Sequence, residues 1–262
     1  LKVLIFKTEG EAKLRAAKQL LQKIQDFPQC VLGLATGGTM EAVYAQLIEE
    51  TNRTNLSWSR VTTFNLDEYW GISADSPASY RSYMNTHLFH HIDIDLNATH
   101  IPASNGCDPV DAATSYEAEI LAVGGIDLQL LGIGMNGHIG FNEPTSSLAS
   151  ATRIKTLTEN TRLANMRFFD RFEDVPKYAL TVGIGTILNA RECLIIGTGK
   201  EKAGAVRSMI EGPVSASCPA SALQLHCNVT VVLDELAASQ LELRDYYETV
   251  HPGGQDRALE DA

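Results

Sequence analysis

The chain has 262 residues and a formal net charge of -11, with 32 acidic against 21 basic side chains. That balance excludes nucleic acid as a partner, because such binding needs a basic surface to displace counterions. Cys30, Cys107, Cys193, Cys218 and Cys227 form no C-x-x-C pair and are odd in number, and no stretch reads as a signal peptide or a membrane span, so a cytoplasmic protein with no membrane role is expected. Taken in order, Lys2 to Phe6 alternates as a short strand, and Glu11 to Gln25 places Ala16, Ala17, Leu20, Leu21 and Ile24 on one helical face. Val31 to Ala35 is the next apolar run, followed by Thr36-Gly37-Gly38-Thr39 and a helical pattern through Val43, Leu47 and Ile48. Backbone N–H groups at such a helix start, joined by the hydroxyls of Thr36 and Thr39, suit an anion, while an ordinary βα turn that needs positive φ explains the same glycines.

Val61 to Leu66 predicts a third strand ending in Asp67-Glu68. Neighbouring side chains on an extended backbone point to opposite faces, so only one of these carboxylates faces a cleft readily. Ser79 to Phe89 predicts a helix that ends in His87, His90 and His91. Without a cysteine or acid in that turn, they read as a surface cluster and no metal site is expected. Asp108-Pro109 supplies an N-cap and an N1 proline for a helix running to about Val123.

Ile126 to Leu131 reads as a buried parallel strand, and it feeds the stretch GIGMNGHIGFNEP at Gly132 to Pro144. Ligands of open α/β sheets gather beyond the carboxyl ends of strands, which places His138 and Glu143 where chemistry is done. Pro144 biases Glu143 toward an extended conformation, and Gly137 and Gly140 permit sharp turns, so histidine and carboxylate can meet. A carboxylate on one ring nitrogen fixes the tautomer and frees the other for proton transfer, whereas a histidine that only caps a carbonyl is the structural alternative. GIGMNG matches G-x-G-x-x-G, but Gly140 and Pro144 block the helix that a dinucleotide fold requires.

Asn160 to Phe172 is amphipathic and, within about 158–178, predicts a helical lid carrying Arg162 and Arg167. Cys193 to Ile196 predicts a buried strand, and Lys200 and Lys202 follow at a helix start, where cations oppose the dipole unless a bound anion reverses the sign. A freely solvated lysine pair fits that placement equally. Pro219 to His226 reads as a short helix, Val229 to Leu233 as the last strand and Glu235 to Glu248 as the closing helix. The βα alternation predicts one α/β domain over 1–250 and a flexible tail over 251–262.

Six segments carry a resemblance: TGGT at Thr36, NLDEYWG at Asn65 to Gly71, GHIGFNEP at Gly137, RIKTLT at Arg153, VPKYALTVG at Val175 and LQLH at Leu223. Together they resemble the glucosamine-6-phosphate deaminase family. The resemblance implies a Rossmann-like, mainly parallel sheet flanked by helices, and a cofactor-free conversion of glucosamine 6-phosphate and water to fructose 6-phosphate and ammonia, filed here under hydrolases. It further implies that His138 opens the sugar ring, that Glu143 orients it and that Asp67 removes the C2 proton. Asn136 stands where longer members carry aspartate, and an amide can orient a ring nitrogen without neutralising an imidazolium. The phosphate would lie among Thr36, Gly37, Gly38, Thr39, Arg167 and Lys202. Ser146, Arg153 and Lys155 match an activator site for N-acetylglucosamine 6-phosphate in hexameric members, so a homo-oligomer is expected, with a hexamer favoured. A 6-phosphogluconolactonase-like hydrolase and a non-catalytic phosphosugar sensor remain the rival readings.

Overall fold

The computed structural model describes residues 1–166 and 169–255. The chain opens with β1 (Lys2–Phe6), α1 (Glu9–Asp26), β2 (Val31–Leu34) and α2 (Gly38–Thr54). α1 starts where its sequence says it should, because Thr8 and Glu11 form a reciprocal capping box, and it buries the predicted stripe together with Ala12. Next come β3 (Thr62–Asn65), β4 (Asp67–Tyr69), α3 (Tyr80–His87), β5 (Thr99–His100), α4 (Pro109–Ala122) and β6 (Leu128–Gly132). Asp108 caps α4 through Val110 N–H, with Pro109 in its first turn as expected. The remaining elements are β7 (Arg153–Thr156), α5 (Glu159–Asn165), β8 (Tyr178–Thr181), α6 (Ile184–Leu188), β9 (Glu192–Gly197), α7 (Ala203–Ile210), β10 (Val229–Asp234) and α8 (Arg244–Val250).

Among the described residues the strands form two sheets. One is seven-stranded, in the order β1-β10-β9-β6-β2-β3-β5, and every pairing in it is parallel. A parallel sheet with helices on its faces buries both sides of its strands, and the fully buried Leu128, Leu130 and Leu131 of β6 contribute roughly 1.5 to 3 kcal/mol each. From β2 the chain proceeds through β3 and β5 toward one edge; from β6 it proceeds through β9 and β10 toward the other. The order therefore reverses between the adjacent strands β2 and β6, and a crevice opens beyond their carboxyl ends. Both glycine-rich stretches noted in the sequence leave those ends.

The second sheet is antiparallel, β4-β8-β7, and it brings Asp67 opposite Thr181 and Thr181 opposite Arg153. The predicted strand Val61 to Leu66 thus ends one residue early, and its acidic terminus belongs to a different sheet. Leu66 is the hinge, since its N–H donates to Leu34 O at 3.0 Å in the large sheet while its carbonyl accepts from Val182 N–H at 2.7 Å.

Several boundaries differ from expectation. Pro219–Leu225 is 3-10 helix, and Lys200–Lys202 is a 3-10 turn that precedes α7. The closing helix spans only Arg244–Val250; before it, Ala237, Ala238 and Leu241 are buried from a chain of turns that starts when Asp234 accepts Ala237 N–H at 2.8 Å. The expected tail from 251 begins instead with a 3-10 turn, Pro252–Gly254, whose buried Gly254 leaves no room for a side chain against the Phe6 ring. Residues 256–262 lie outside the described residues. Among the described residues no helix is long and apolar enough to cross a membrane, and the five cysteines are free.

Candidate active site

The crevice between β2 and β6 holds a cleft of about 370 Å³. Thr36, Gly37, Gly38, Thr39, Asp67, His138 and Lys202 line it, so loops from four separate parts of the sequence converge as the strand ends require. At the β2 end, Gly37 adopts φ 119° as the N-cap of α2, a conformation open to glycine, and no side chain caps the helix. The first N–H groups of a 17-residue helix and the positive end of its dipole are left for an anion. Lys202 enters from the turn after β9, half-buried and with no ion pair among the described residues. Burial lowers its pKa and the Glu201 carboxylate partly offsets that. Arg167, expected beside it, lies outside the described residues. Arg162 turns away from the cleft, donating to the carbonyls of Phe172 and Val175 and resting 4.2 Å from the Phe172 ring.

After β6 the chain folds into a compact loop, in which Gly134 N–H donates to His138 O at 2.9 Å. The His138 ring lies so close over Gly134 that a Cβ there would collide with it. Its Nδ1 stands 3.6 Å from Glu143 Oε2, so the expected meeting occurs, just beyond hydrogen-bond length. Asn136 departs from expectation. Its amide donates to Glu143 Oε2 at 2.7 Å and its carbonyl oxygen accepts from the His138 backbone N–H at 3.2 Å, so it aims the carboxylate and shapes the loop without touching the ring.

Glu143 is 5% exposed and stands behind the histidine. Burial pushes its pKa up, but His138 beside it and the donors Thr161 and Asn136 outweigh burial and hold it down to about 2. Asn142 fixes the loop to the small sheet by donating to the carbonyls of Ile139 and Val182, both at 2.9 Å.

Asp67 and Glu68 divide as alternation demands. Glu68 faces away and accepts backbone N–H groups of Tyr69, Tyr80 and Arg81 at 2.8 to 3.1 Å, tying down the start of α3. Asp67 lines the cleft together with Leu66, Tyr80 and Phe141. Burial, with the neighbouring Glu68 charge adding to it, raises the Asp67 pKa to about 8, against the lowering effect of Phe141 N–H and the Thr181 hydroxyl. A carboxyl with that pKa exchanges its proton near neutral pH, where an ordinary aspartate is a spent, ionised base.

Thr161 and Asn165 of α5 and Tyr80 of α3 also line the cleft; the expected lid contains the first two, but none of the three is singled out by the sequence as a site residue. Their only signal was a threonine three residues after the α5 N-cap Thr158 and a tyrosine opening α3. The expected regulatory residues lie elsewhere: Arg153 and Lys155 are on β7, and Ser146 is 2% exposed just after the loop. Among the described residues no group of three His, Cys, Asp or Glu could hold a metal. His91 of the histidine cluster instead contacts Thr86 O at 2.8 Å.

The family model described as glucosamine-6-phosphate isomerases/6-phosphogluconolactonase matches residues 7–232. The glucosamine-6-phosphate deaminase of Hahella chejuensis is 51% identical over 250 residues, covering 95% of each chain. That of Marinomonas sp. is 52% identical over 251 residues, 95% of this chain and 94% of the relative. Among solved structures, a monomeric glucosamine-6-phosphate deaminase superposes with a TM-score of 0.89 at 48% identity, over 92% of this chain and 100% of the other. A 6-phosphogluconolactonase from Trypanosoma cruzi, at 21% identity and TM-score 0.74 over 92% and 97%, shares the fold. The names deaminase and isomerase overturn the expected filing under hydrolases. With the switch-point cleft, the GHIGFNEP loop and near-full-length identity of about half all in agreement, the chain belongs to the glucosamine-6-phosphate isomerase/6-phosphogluconolactonase family and, within it, to the glucosamine-6-phosphate deaminases.

Proposed function

We propose that the chain converts glucosamine 6-phosphate and water to fructose 6-phosphate and ammonia, an aldose-ketose isomerisation with deamination in amino-sugar catabolism. The observation that carries this reading is the pair of carboxylates around one cleft, Asp67 held near 8 and Glu143 near 2 beside His138. Phosphate binds at the uncapped start of α2, with Thr36, Gly37, Gly38 and Thr39, and pairs with Lys202. His138 moves the proton between the anomeric hydroxyl and the ring oxygen, and the ionised Glu143 stabilises the imidazolium formed on the way. In the open chain the C2–H is α to the aldehyde, and Asp67 removes it. Electrons move into a C1–C2 double bond as O1 gains a proton, giving an enolamine. Asp67 returns its proton to C1, which leaves a hydroxymethyl group next to an imine at C2. Water adds there and ammonia leaves. The enclosing Tyr80 and Phe141 keep Asp67 desolvated, which favours this proton transfer at neutral pH. No cofactor enters these steps.

Incubation with glucosamine 6-phosphate, with both products measured, tests the reading. Equimolar fructose 6-phosphate and ammonia support it. Hydrolysis of 6-phosphogluconolactone without ammonia release would favour the lactonase alternative, and binding without turnover the sensor.

A regulatory reading is favoured by a separate observation. Arg153 and Lys155 share one face of β7 by alternation, and Arg153 Nη2 and Ser146 Oγ are buried without a partner among the described residues. These groups support an anion site that takes N-acetylglucosamine 6-phosphate as activator in a hexamer. The 48%-identical neighbour described as monomeric makes subunit count the first test. Light scattering at hexamer mass, with sigmoidal kinetics that turn hyperbolic on adding the activator, supports the reading; a monomer with unchanged kinetics removes it. The free cysteines support action in the cytoplasm, within a single domain over 1–250 whose lid is the 158–178 segment.

A further inference from the structure

Each oxygen of Glu143 is held from a different part of the chain. Oε2 accepts from Asn136 Nδ2 at 2.7 Å and faces His138 Nδ1 at 3.6 Å. Oε1 accepts the Thr161 hydroxyl in a short hydrogen bond and has the Thr158 hydroxyl at 3.4 Å. These threonines belong to the start of α5. Thr158 Oγ1 caps the helix by accepting Thr161 N–H at 3.2 Å, and it lies 3.0 Å from Thr161 Oγ1. A hydroxyl has one proton to give. The arrangement satisfying every atom is a relay: Thr158 donates to Thr161, and Thr161 donates to Glu143.

His138 Nδ1 is buried and has no hydrogen-bond partner among the described residues, although Glu143 Oε2 is only slightly too far away. A carboxylate pinned at both oxygens cannot turn or advance on its own. Its approach to the ring is set by where α5 places the Thr161 hydroxyl. Thr161 is itself buried and lines the cleft beside Asn165, so the element that borders the substrate space also governs the catalytic pair. We infer that Thr161 is a positioning residue for Glu143, coupling the placement of α5 over the cleft to the Glu143–His138 contact that opens the sugar ring. The inference rests on the deaminase reading above.

Substitutions of matched shape test it. Thr161→Val keeps the branched volume and deletes the hydroxyl, and Thr161→Ser keeps the hydroxyl and deletes a methyl group. Positioning through Glu143 predicts that Val lowers kcat by about tenfold with KM within about twofold, since the lost interaction acts on the reacting groups, and that Ser restores most of the rate. A packing role predicts the reverse order, with Val close to wild type and Ser impaired. Melting temperatures are measured alongside, so that a variant that fails to fold is recognised. The second arm is a double mutant: in a Glu143→Gln background Thr161→Val should cause no further loss, because both act through one carboxylate. Additive losses, or a Val variant with unchanged kcat, would overturn the inference. Absence of ammonia release by the wild type would instead overturn the deaminase reading.

Discussion

The start of β4 and the loop after β6 each present one carboxylate toward the same chemistry, and the two are built in opposite ways. Asp67 sits on a strand among Tyr80, Phe141 and Leu66, beside a second carboxylate, and its pKa rises to about 8. Glu143 is also buried, yet donors reach both its oxygens and it is held near 2. Burial alone therefore does not decide the charge. The neighbours decide with it: beside the Glu68 charge the two donors of Asp67 do not offset burial and the carboxyl keeps its proton, whereas beside His138, with Thr161 and Asn136 donating, the Glu143 carboxylate persists. Paired titratable groups pushed apart in this way divide acid-base labour, one trading a proton with substrate and the other holding a fixed charge under the histidine.

Removing each carboxylate sharpens the contrast. Asp67→Asn should lower kcat by roughly 10² or more with KM nearly unchanged, because a base is lost with little change in volume; steady-state kinetics at near-normal kcat would break the assignment. Glu143→Gln should cost roughly 10 to 10² in kcat, since an amide cannot balance an imidazolium. Lys202→Ala should raise KM by roughly tenfold with kcat within a few-fold, as expected for a charged hydrogen bond to a phosphate remote from the reacting carbons.

Stability should move in opposite directions. The folded-state pKa of Asp67 is raised from 3.8 to about 8, so its contribution to stability is present below pH 3.8 and is lost as pH rises toward 8. Asp67→Asn should therefore melt above wild type, by a margin that widens between pH 4 and pH 8 with a slope of at most about 1.4 kcal/mol per pH unit. Glu143 is lowered from 4.5 to about 2, so it stabilises above pH 4.5 and that share is lost as pH falls through 2. Glu143→Gln should melt below wild type at neutral pH, by on the order of 2 kcal/mol. Thermal melts across pH check both signs. The profile of kcat/KM should climb by about tenfold per pH unit below 8, pass half its maximum near 8 and level off above that as Asp67 ionises.

How far the sequence carried this contrast depends on the range of the interactions involved. The Thr36–Thr39 turn and the His138–Glu143 loop were legible because glycines, a proline and reactive side chains lie within one short stretch after an apolar run. Alternation likewise separated Asp67 from Glu68 without any tertiary information. What stayed hidden is non-local. That Asp67 leaves the large sheet to pair with Thr181 depends on a strand more than a hundred residues away. Thr161 reads as an ordinary residue of a helical first turn until Glu143 is placed against it. The turns over 235–243 bury Ala237, Ala238 and Leu241 at near-helical spacing, which is why the closing helix was expected to start early.

The most direct test of the central claim is a carbon-13 NMR titration of the side-chain carboxyls, with Asp67→Asn and Glu143→Gln used to assign the two resonances. The account predicts that the Asp67 signal titrates with a midpoint near 8 while the Glu143 signal stays that of a carboxylate down to about pH 2. Midpoints for both between 3.8 and 4.5, the values of unperturbed aspartate and glutamate, would contradict it.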